Sequence, residues 1–460
     1  MLPRTLAPWF FVVLLAFGAS CRKEPSKGET VAAASSAPSL PSAPSASSAP
    51  PAASTPENTL EGLAIARSQD GPWDVRRIDT AGRGLRKRAP EGSGLPTMAS
   101  PAPARKETAT RSFSDGVASP MKAGSTDDNE AFDEFLSFLA SWTSRTPKKN
   151  RYQQLDVQCR RFIRVVDAKN KPLAAATVRV FGSDRETPSW TAMTYGDGKA
   201  PYYRSLARQQ QETSIEVTVG GKRMVMDWTG ERDVTVAFSE PVSMPREIQL
   251  DVLFIIDTTG SMGDEIQQIK STLLRVTERL RALATDFDLR YGAVLYRDLG
   301  DEYLTKTHPF SHDIVAFDRA LQQVTAGGGG DMPESLNQAL AQAVAMPWRE
   351  GAAKVAFLIG DAPPHMDYQG DVPYGDSAVR AIGKGLRIHS VAASGLDAVG
   401  TLVFRQTAQL TRGKFIFIEY GSKEESARRH GVTGPVMSNN LDDIVYEQIR
   451  DELEHWGKAR

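Results

Sequence analysis

Val252-Leu253-Phe254-Ile255-Ile256 is an apolar run with no polar alternation. A short run of this kind, rich in β-branched and aromatic residues, predicts a central parallel strand buried on both faces. Downstream, stripes of apolar residues at helical spacing alternate with further short apolar runs. The predicted series is strand 250–256, helix 265–283, strand 289–296, helix 314–324, helix 334–345 and strand 355–359. It continues with helix 377–385, strand 388–392, helix 402–410, strand 415–418 and helix 442–456. Such alternation predicts an α/β fold, a doubly wound and mostly parallel sheet with helices on both faces.

Upstream the pattern changes. Between residues 155 and 238 the predicted strands are short: 162–166, 177–181, 215–219, 223–226 and 234–238. Turn signals such as Gly196-Asp197-Gly198 and Gly220-Gly221 separate them, which predicts a small antiparallel β-sandwich. Before it, Asp127-Asp128-Asn129-Glu130 precedes Phe132, Phe135, Leu136 and Leu139, an acidic helix start followed by an apolar stripe. That helix is expected to dock on the folded part. Residues 31–56 are almost wholly Ala, Ser and Pro and cannot bury enough surface to offset chain entropy. The resulting division is a signal peptide at 1–20, a disordered tether at 21–121 and a helix with linker at 122–150. A β-sandwich at 151–245 and an α/β domain at 249–458 complete it.

The amino terminus carries Arg4 and an apolar stretch over residues 6–17, closed by Gly18-Ala19-Ser20-Cys21. It is shorter than the ~20 residues that span a bilayer, so it reads as an export signal. A cysteine after those small residues resembles the lipobox of bacterial lipoproteins. The resemblance implies a lipidated Cys21 that anchors the chain to a membrane, and Arg22 after it implies outer-membrane sorting in a two-membrane bacterium. With two cysteines in the chain, Cys159 is then expected to stay an unpaired, buried thiol. The formal net charge of −1 gives no case for a nucleic-acid partner.

The chemistry gathers after the first strand. Asp257, Thr259 and Ser261 follow it at alternate positions, so an extended chain projects one carboxylate and two hydroxyls the same way. Hard oxygen donors suit a Mg²⁺-like ion, and the carboxyl edge of a parallel sheet is where such folds bind ligands. Three more segments recur downstream: Tyr296-Arg297-Asp298, Gly327-Gly328-Gly329-Gly330-Asp331-Met332-Pro333-Glu334, and Gly360-Asp361-Ala362-Pro363-Pro364-His365. Together with Asp257-x-Thr259-x-Ser261 they resemble von Willebrand factor A domains that carry a metal-ion-dependent adhesion site.

That resemblance implies a Rossmann-like fold and a Mg²⁺ site, or one for Mn²⁺ or Ca²⁺. Asp257, Thr259 and Ser261 would form its first loop, Asp331 the second and Asp361 the third. It further implies a non-enzymatic module whose ion engages a protein or cell-surface partner. A third carboxylate at Asp331 would tighten the ion but lessen its appetite for an acidic ligand; Asp331 also reads as an N-cap of the next helix. The glycines lack the Lys-Ser/Thr of a phosphate loop. Two alternatives stay open: a metal-dependent hydrolase using His365, and a structural envelope protein whose ion locks the loops. In the upstream domain, residues 165–178 resemble the opening of carboxypeptidase-regulatory-like sandwiches.

Overall fold

The computed structural model describes residues 120–145, 155–208, 211–244, 247–283 and 287–458. The expected signal peptide, lipidated Cys21 and nearly all of the tether lie outside the described residues. The chain opens with β1 (Lys122–Thr126) and α1 (Phe132–Arg145). Seven strands follow: β2 (Arg160–Val166), β3 (Thr177–Phe181), β4 (Pro188–Met193), β5 (Lys199–Tyr203), β6 (Ser214–Val219), β7 (Lys222–Asp227) and β8 (Asp233–Ala237). The α/β part comprises β9 (Ile248–Asp257), α2 (Ile266–Leu283), β10 (Phe287–Tyr296), β11 (Thr305–Ser311), α3 (Ile314–Gln322) and α4 (Leu336–Ala345). It continues through β12 (Ala353–Gly360), α5 (Tyr374–Lys384), β13 (Leu386–Ala392), α6 (Ala398–Leu410) and β14 (Phe415–Ile418). The last elements are α7 (Lys423–Arg429), β15 (Met437–Asn440) and α8 (Leu441–Lys458).

Eight strands form the main sheet, in the order β11-β10-β9-β12-β13-β14-β1-β15. The five from β10 to β14 are mutually parallel, and the pairs β10·β11, β14·β1 and β1·β15 are antiparallel. All ten residues of β9 except Gln249 are buried, as a strand covered on both faces requires. Its side chains alternate between two layers. Val252, Phe254 and Ile256 pack with Val276 of α2, Phe317 of α3 and Ile449 of α8. Leu253 and Ile255 face the opposite layer, with Leu340 of α4, Ile382 of α5 and Phe404 of α6. Phe254 stacks between Phe317 and Phe357 at 6.1 and 5.9 Å. Side chains of this size each contribute about 1.5–3 kcal/mol on burial.

Two differences from the sequence reading concern the sheet's flank and the strands upstream. Residues 122–150 were expected to supply a helix and linker alone, yet β1 sits inside the main sheet, paired with β14 on one side and β15 on the other. The α/β part therefore begins before the seven-strand segment, which interrupts it. Those seven strands make a three-stranded sheet, β5-β2-β8, and a four-stranded sheet, β4-β3-β6-β7. The pair β2·β8 is parallel, so the unit is not wholly antiparallel. Inward residues of both sheets, including Val165, Val178, Val217 and Val236, share one apolar cluster with the α4–α6 layer.

Polar contacts lock the same junction. Arg412 holds Asp197 through two hydrogen bonds of 2.8 Å, and Gln406 accepts the Leu155 N–H at 2.7 Å. Asp128, just after β1, is buried against Arg405 of α6 by bonds of 2.9 and 2.6 Å. The acidic segment thus ends in a buried ion pair, while Phe135 and Leu139 of α1 bury the stripe as expected. Cys159 is disulfide-bonded and is not the unpaired thiol that the cysteine count suggested. Among the described residues, no helix is long and apolar enough to cross a membrane.

Candidate metal centre

β9 ends on Asp257, flanked by the ends of β10 and β12, so three strand-to-loop exits converge at one point of the carboxyl edge. Asp257 is fully buried. Its Oδ1 accepts the Thr259 N–H at 2.9 Å and the Thr259 hydroxyl at 2.7 Å. The Thr259 hydroxyl lies 3.1 Å from that of Ser261, which donates to Asp361 Oδ1 at 3.1 Å. The Ser261–Asp361 bond links the first loop to the third, with the Thr259 hydroxyl alongside.

Asp361 follows Gly360, and that glycine is required by space rather than by torsion. A Cβ there would lie 2.5 Å from the Tyr296 hydroxyl and 3.1 Å from Asp257 Cβ. The glycine-rich loop is stitched to the first loop by Gly260 N–H to Gly328 O and Gly327 N–H to Thr258 O, at 2.9 and 3.0 Å. Gly328 and Gly329 take φ of +73° and +66°, which residues with a Cβ rarely adopt. Arg297 braces this loop from behind, donating to the carbonyls of Thr258 and Thr325.

The structure brings Asp257, Thr259, Ser261 and Asp361 together, but not Asp331. That residue is exposed and outside this hydrogen-bonded group. Nor does it cap α4, whose N-cap is Ser335. Glu334 turns inward instead, 2% exposed, and a Cβ on Gly329 would stand 2.9 Å from Glu334 Oε1 and 3.2 Å from Thr259 Cβ. Its backbone ties the second loop to the third: Glu334 N–H donates to Pro363 O and Glu334 O accepts the His365 N–H. Sequence pattern did not single out Glu334, because the left-handed turns at Gly328 and Gly329 set which acid points inward.

The electrostatics are those of crowded carboxyls without a counter-charge. Burial, then the neighbouring Asp361, pushes Asp257 up to about 7 despite the two Thr259 hydrogen bonds. Burial also raises Asp361. Glu334 is pushed up to about 9 by burial and by Asp257, Asp298, Asp301 and Asp361. Asp257 Oδ2 and Glu334 Oε2 are buried with no hydrogen-bond partner. The Tyr296 hydroxyl faces Asp257, and burial, then the Asp257 charge, pushes it well above its ordinary value.

Among the described residues no three carboxylate, histidine or cysteine side chains form a metal cluster of their own. The donor set here differs, mixing carboxylates with the hydroxyls of Thr259 and Ser261. Oxygen-only donors, orphaned lone pairs and mutually raised carboxyls fit a hard divalent cation. His365 stands apart: its Nδ1 lies 2.9 Å from Asp367 Oδ1, and its ring stacks on Tyr368 at 4.0 Å. Asp298 accepts hydroxyls from Ser335 and Tyr368.

Several known proteins are similar to parts of the chain. The α-protein kinase vwkA of Dictyostelium discoideum is 36% identical over 117 residues, which cover 25% of this chain and 19% of that protein. The chain thus matches about a fifth of that relative's length. Among solved structures, BatB of Bacteroides thetaiotaomicron is 12% identical with a TM-score of 0.33, covering 45% of this chain and 99% of BatB. The open form of the pilus adhesin SpaC of Lactobacillus rhamnosus GG is also 12% identical at a TM-score of 0.33, covering 61% of this chain and 34% of SpaC. Residues 251–371, which hold most of β9, all of β10 and β12 and all the loops above, match the family model of the von Willebrand factor A domain.

Proposed function

We propose that this chain is a non-enzymatic, divalent-cation-dependent protein-binding module of the bacterial cell envelope. Asp257, Thr259, Ser261, Asp361 and Glu334 hold the ion, with Glu334 in the place first read for Asp331. The observation that carries this reading is the pair of buried, unpartnered oxygens, Asp257 Oδ2 and Glu334 Oε2, amid carboxyls that repel one another. A bound Mg²⁺, Mn²⁺ or Ca²⁺ would supply positive charge and an open coordination position for a partner's oxygen. Three carboxylates against a divalent ion leave the site net negative, so a carbonyl or hydroxyl oxygen suits that position better than a carboxylate. Isothermal titration of the three cations into wild type and Asp257→Ala tests the site. Saturable binding lost in the variant supports it, and silence from a folded wild type sinks it.

Anchoring through a lipidated Cys21 is part of the same proposal. Intact mass of the membrane-extracted protein, with and without reductant, tests it. A reductant-resistant diacylglyceryl mass on Cys21 supports anchoring; its absence removes it.

A further inference from the structure

The seven-strand unit meets the amino edge of the main sheet across a cleft of about 890 Å³, far from the loops of the metal centre. One wall is the outer face of β3 and β4, presenting Thr177, Arg179, Thr191 and Met193; the other carries Lys354 at the start of β12 and Lys384 at the end of α5. Arg179 is already paired with Glu216 at 2.9 Å. Among the described residues neither lysine makes an ion pair.

Lys354 is 3% exposed, and its ammonium donates only to neutral acceptors: Glu350 O at 2.9 Å, Ala352 O at 3.2 Å and Met193 Sδ at 3.6 Å. Its hydrogen-bonding capacity is met while its charge is not. The buried carboxylate nearest in effect, Asp251, is held by Arg290 and Arg349. Glu350 lines the same cleft but is exposed to solvent. Lys384 is half-buried, makes no hydrogen bond or ion pair among the described residues, and repels Lys354. Burial, together with Lys384, holds Lys354 down at about 8. A buried ammonium without a counter-ion is costly, and an anion that reaches it regains that energy.

The remaining lining divides between apolar groups, including Val219, Met244 and Trp348, and the hydroxyls of Thr177 and Thr191. Pockets at domain junctions with an apolar body and a few convergent polar groups suit small organic ligands. We propose that this cleft binds a small organic anion, a carboxylate or phosphate head on an apolar body, with its head between Lys354 and Lys384.

The test is calorimetric titration and thermal shift of the full chain with octanoate, octyl phosphate and inorganic phosphate. Octanoate or octyl phosphate should bind saturably, and whichever binds more tightly identifies the head group. Lys384→Ala should weaken binding about tenfold or more, and Lys384→Arg should largely restore it. Lys354→Met should abolish binding while the protein stays folded, since it exchanges a buried charge for an apolar side chain of similar length. Asp257→Ala should bind as wild type does, which separates this site from the metal centre. Failure of both amphiphiles to bind, or equal binding by wild type and Lys384→Ala, would overturn the proposal. Inorganic phosphate binding as tightly as octyl phosphate would overturn the apolar body.

Discussion

Glu334 is buried in the loop cluster while Asp331, three residues earlier on the same glycine-rich loop, faces solvent. The two acids make opposite predictions. Glu334→Gln keeps the shape but removes a negative charge beside Asp257 and Asp361, so Mg²⁺ affinity should fall by about tenfold or more. Asp331→Asn removes an exposed charge, and its effect should stay within about threefold at physiological salt. Calorimetry on the two variants decides between them; the reverse ranking would restore Asp331 as the second-loop ligand.

Acidity should stabilise the metal-free protein. Asp257 at about 7 and Glu334 at about 9 both lie above their unfolded values of 3.8 and 4.5. The folded chain therefore holds more protons than the unfolded chain in between. The stability these groups contribute is full below the unfolded values and drains as pH rises, through about 7 for Asp257 and about 9 for Glu334. In chelator, the melting temperature should fall from about pH 4 to about pH 9, more steeply in wild type than in Asp257→Asn (below about pH 7) or Glu334→Gln (up to about pH 9). Added Mg²⁺ should stabilise increasingly over the same interval, because binding must displace those protons. A flat chelated profile would contradict the raised carboxyls.

Arg405 anchors the segment after β1 to α6. Besides its two bonds to Asp128, it donates to the carbonyls of His430 and Gly431 and stacks on Phe138 at 4.0 Å. Burial raises Asp128 even against this partner, so a lone carboxyl left there would be worse placed. Arg405→Ala should cost about 3–5 kcal/mol in urea unfolding, the range for breaking a buried pair by removing one side. Asp128→Asn, which keeps a hydrogen-bond acceptor, should cost less. Equal and small losses would mean that the pair does not hold this junction.

The helices and parallel strands were legible wherever burial imposes a period. The expected strand 250–256 falls within β9, and the expected helix 265–283 lies one residue from α2. Elements made by pairing alone were not legible. β15, Met437-Ser438-Asn439-Asn440, has no apolar run and is largely exposed. β1 is built of small residues, and at Gly124 a Cβ would sit 2.5 Å from the Phe417 ring, so it is chosen by fit to β14 rather than by pattern. The side chains expected in the first and third loops lie together because they issue directly from strand ends. In the second loop the left-handed turns at Gly328 and Gly329 set which later acid points inward, and sequence pattern does not encode that.

Placing β1 inside the sheet also redefines where the α/β part can be cut. β1 satisfies β14 through four residue pairs and β15 through four more, and Leu441 N–H and Glu419 N–H donate to Met121 O and Lys122 O. A truncated protein beginning at residue 247 would keep every metal-centre residue yet expose the edge of β14 and leave β15 without a neighbour. Unpaired strand edges are sites of misassociation. That protein should therefore aggregate or unfold at lower temperature than one beginning at residue 120, as read by light scattering and calorimetry. Adding a peptide of residues 120–131 should recover part of the loss by strand addition. Equal stability of the two truncated proteins would show that β1 is dispensable to the sheet.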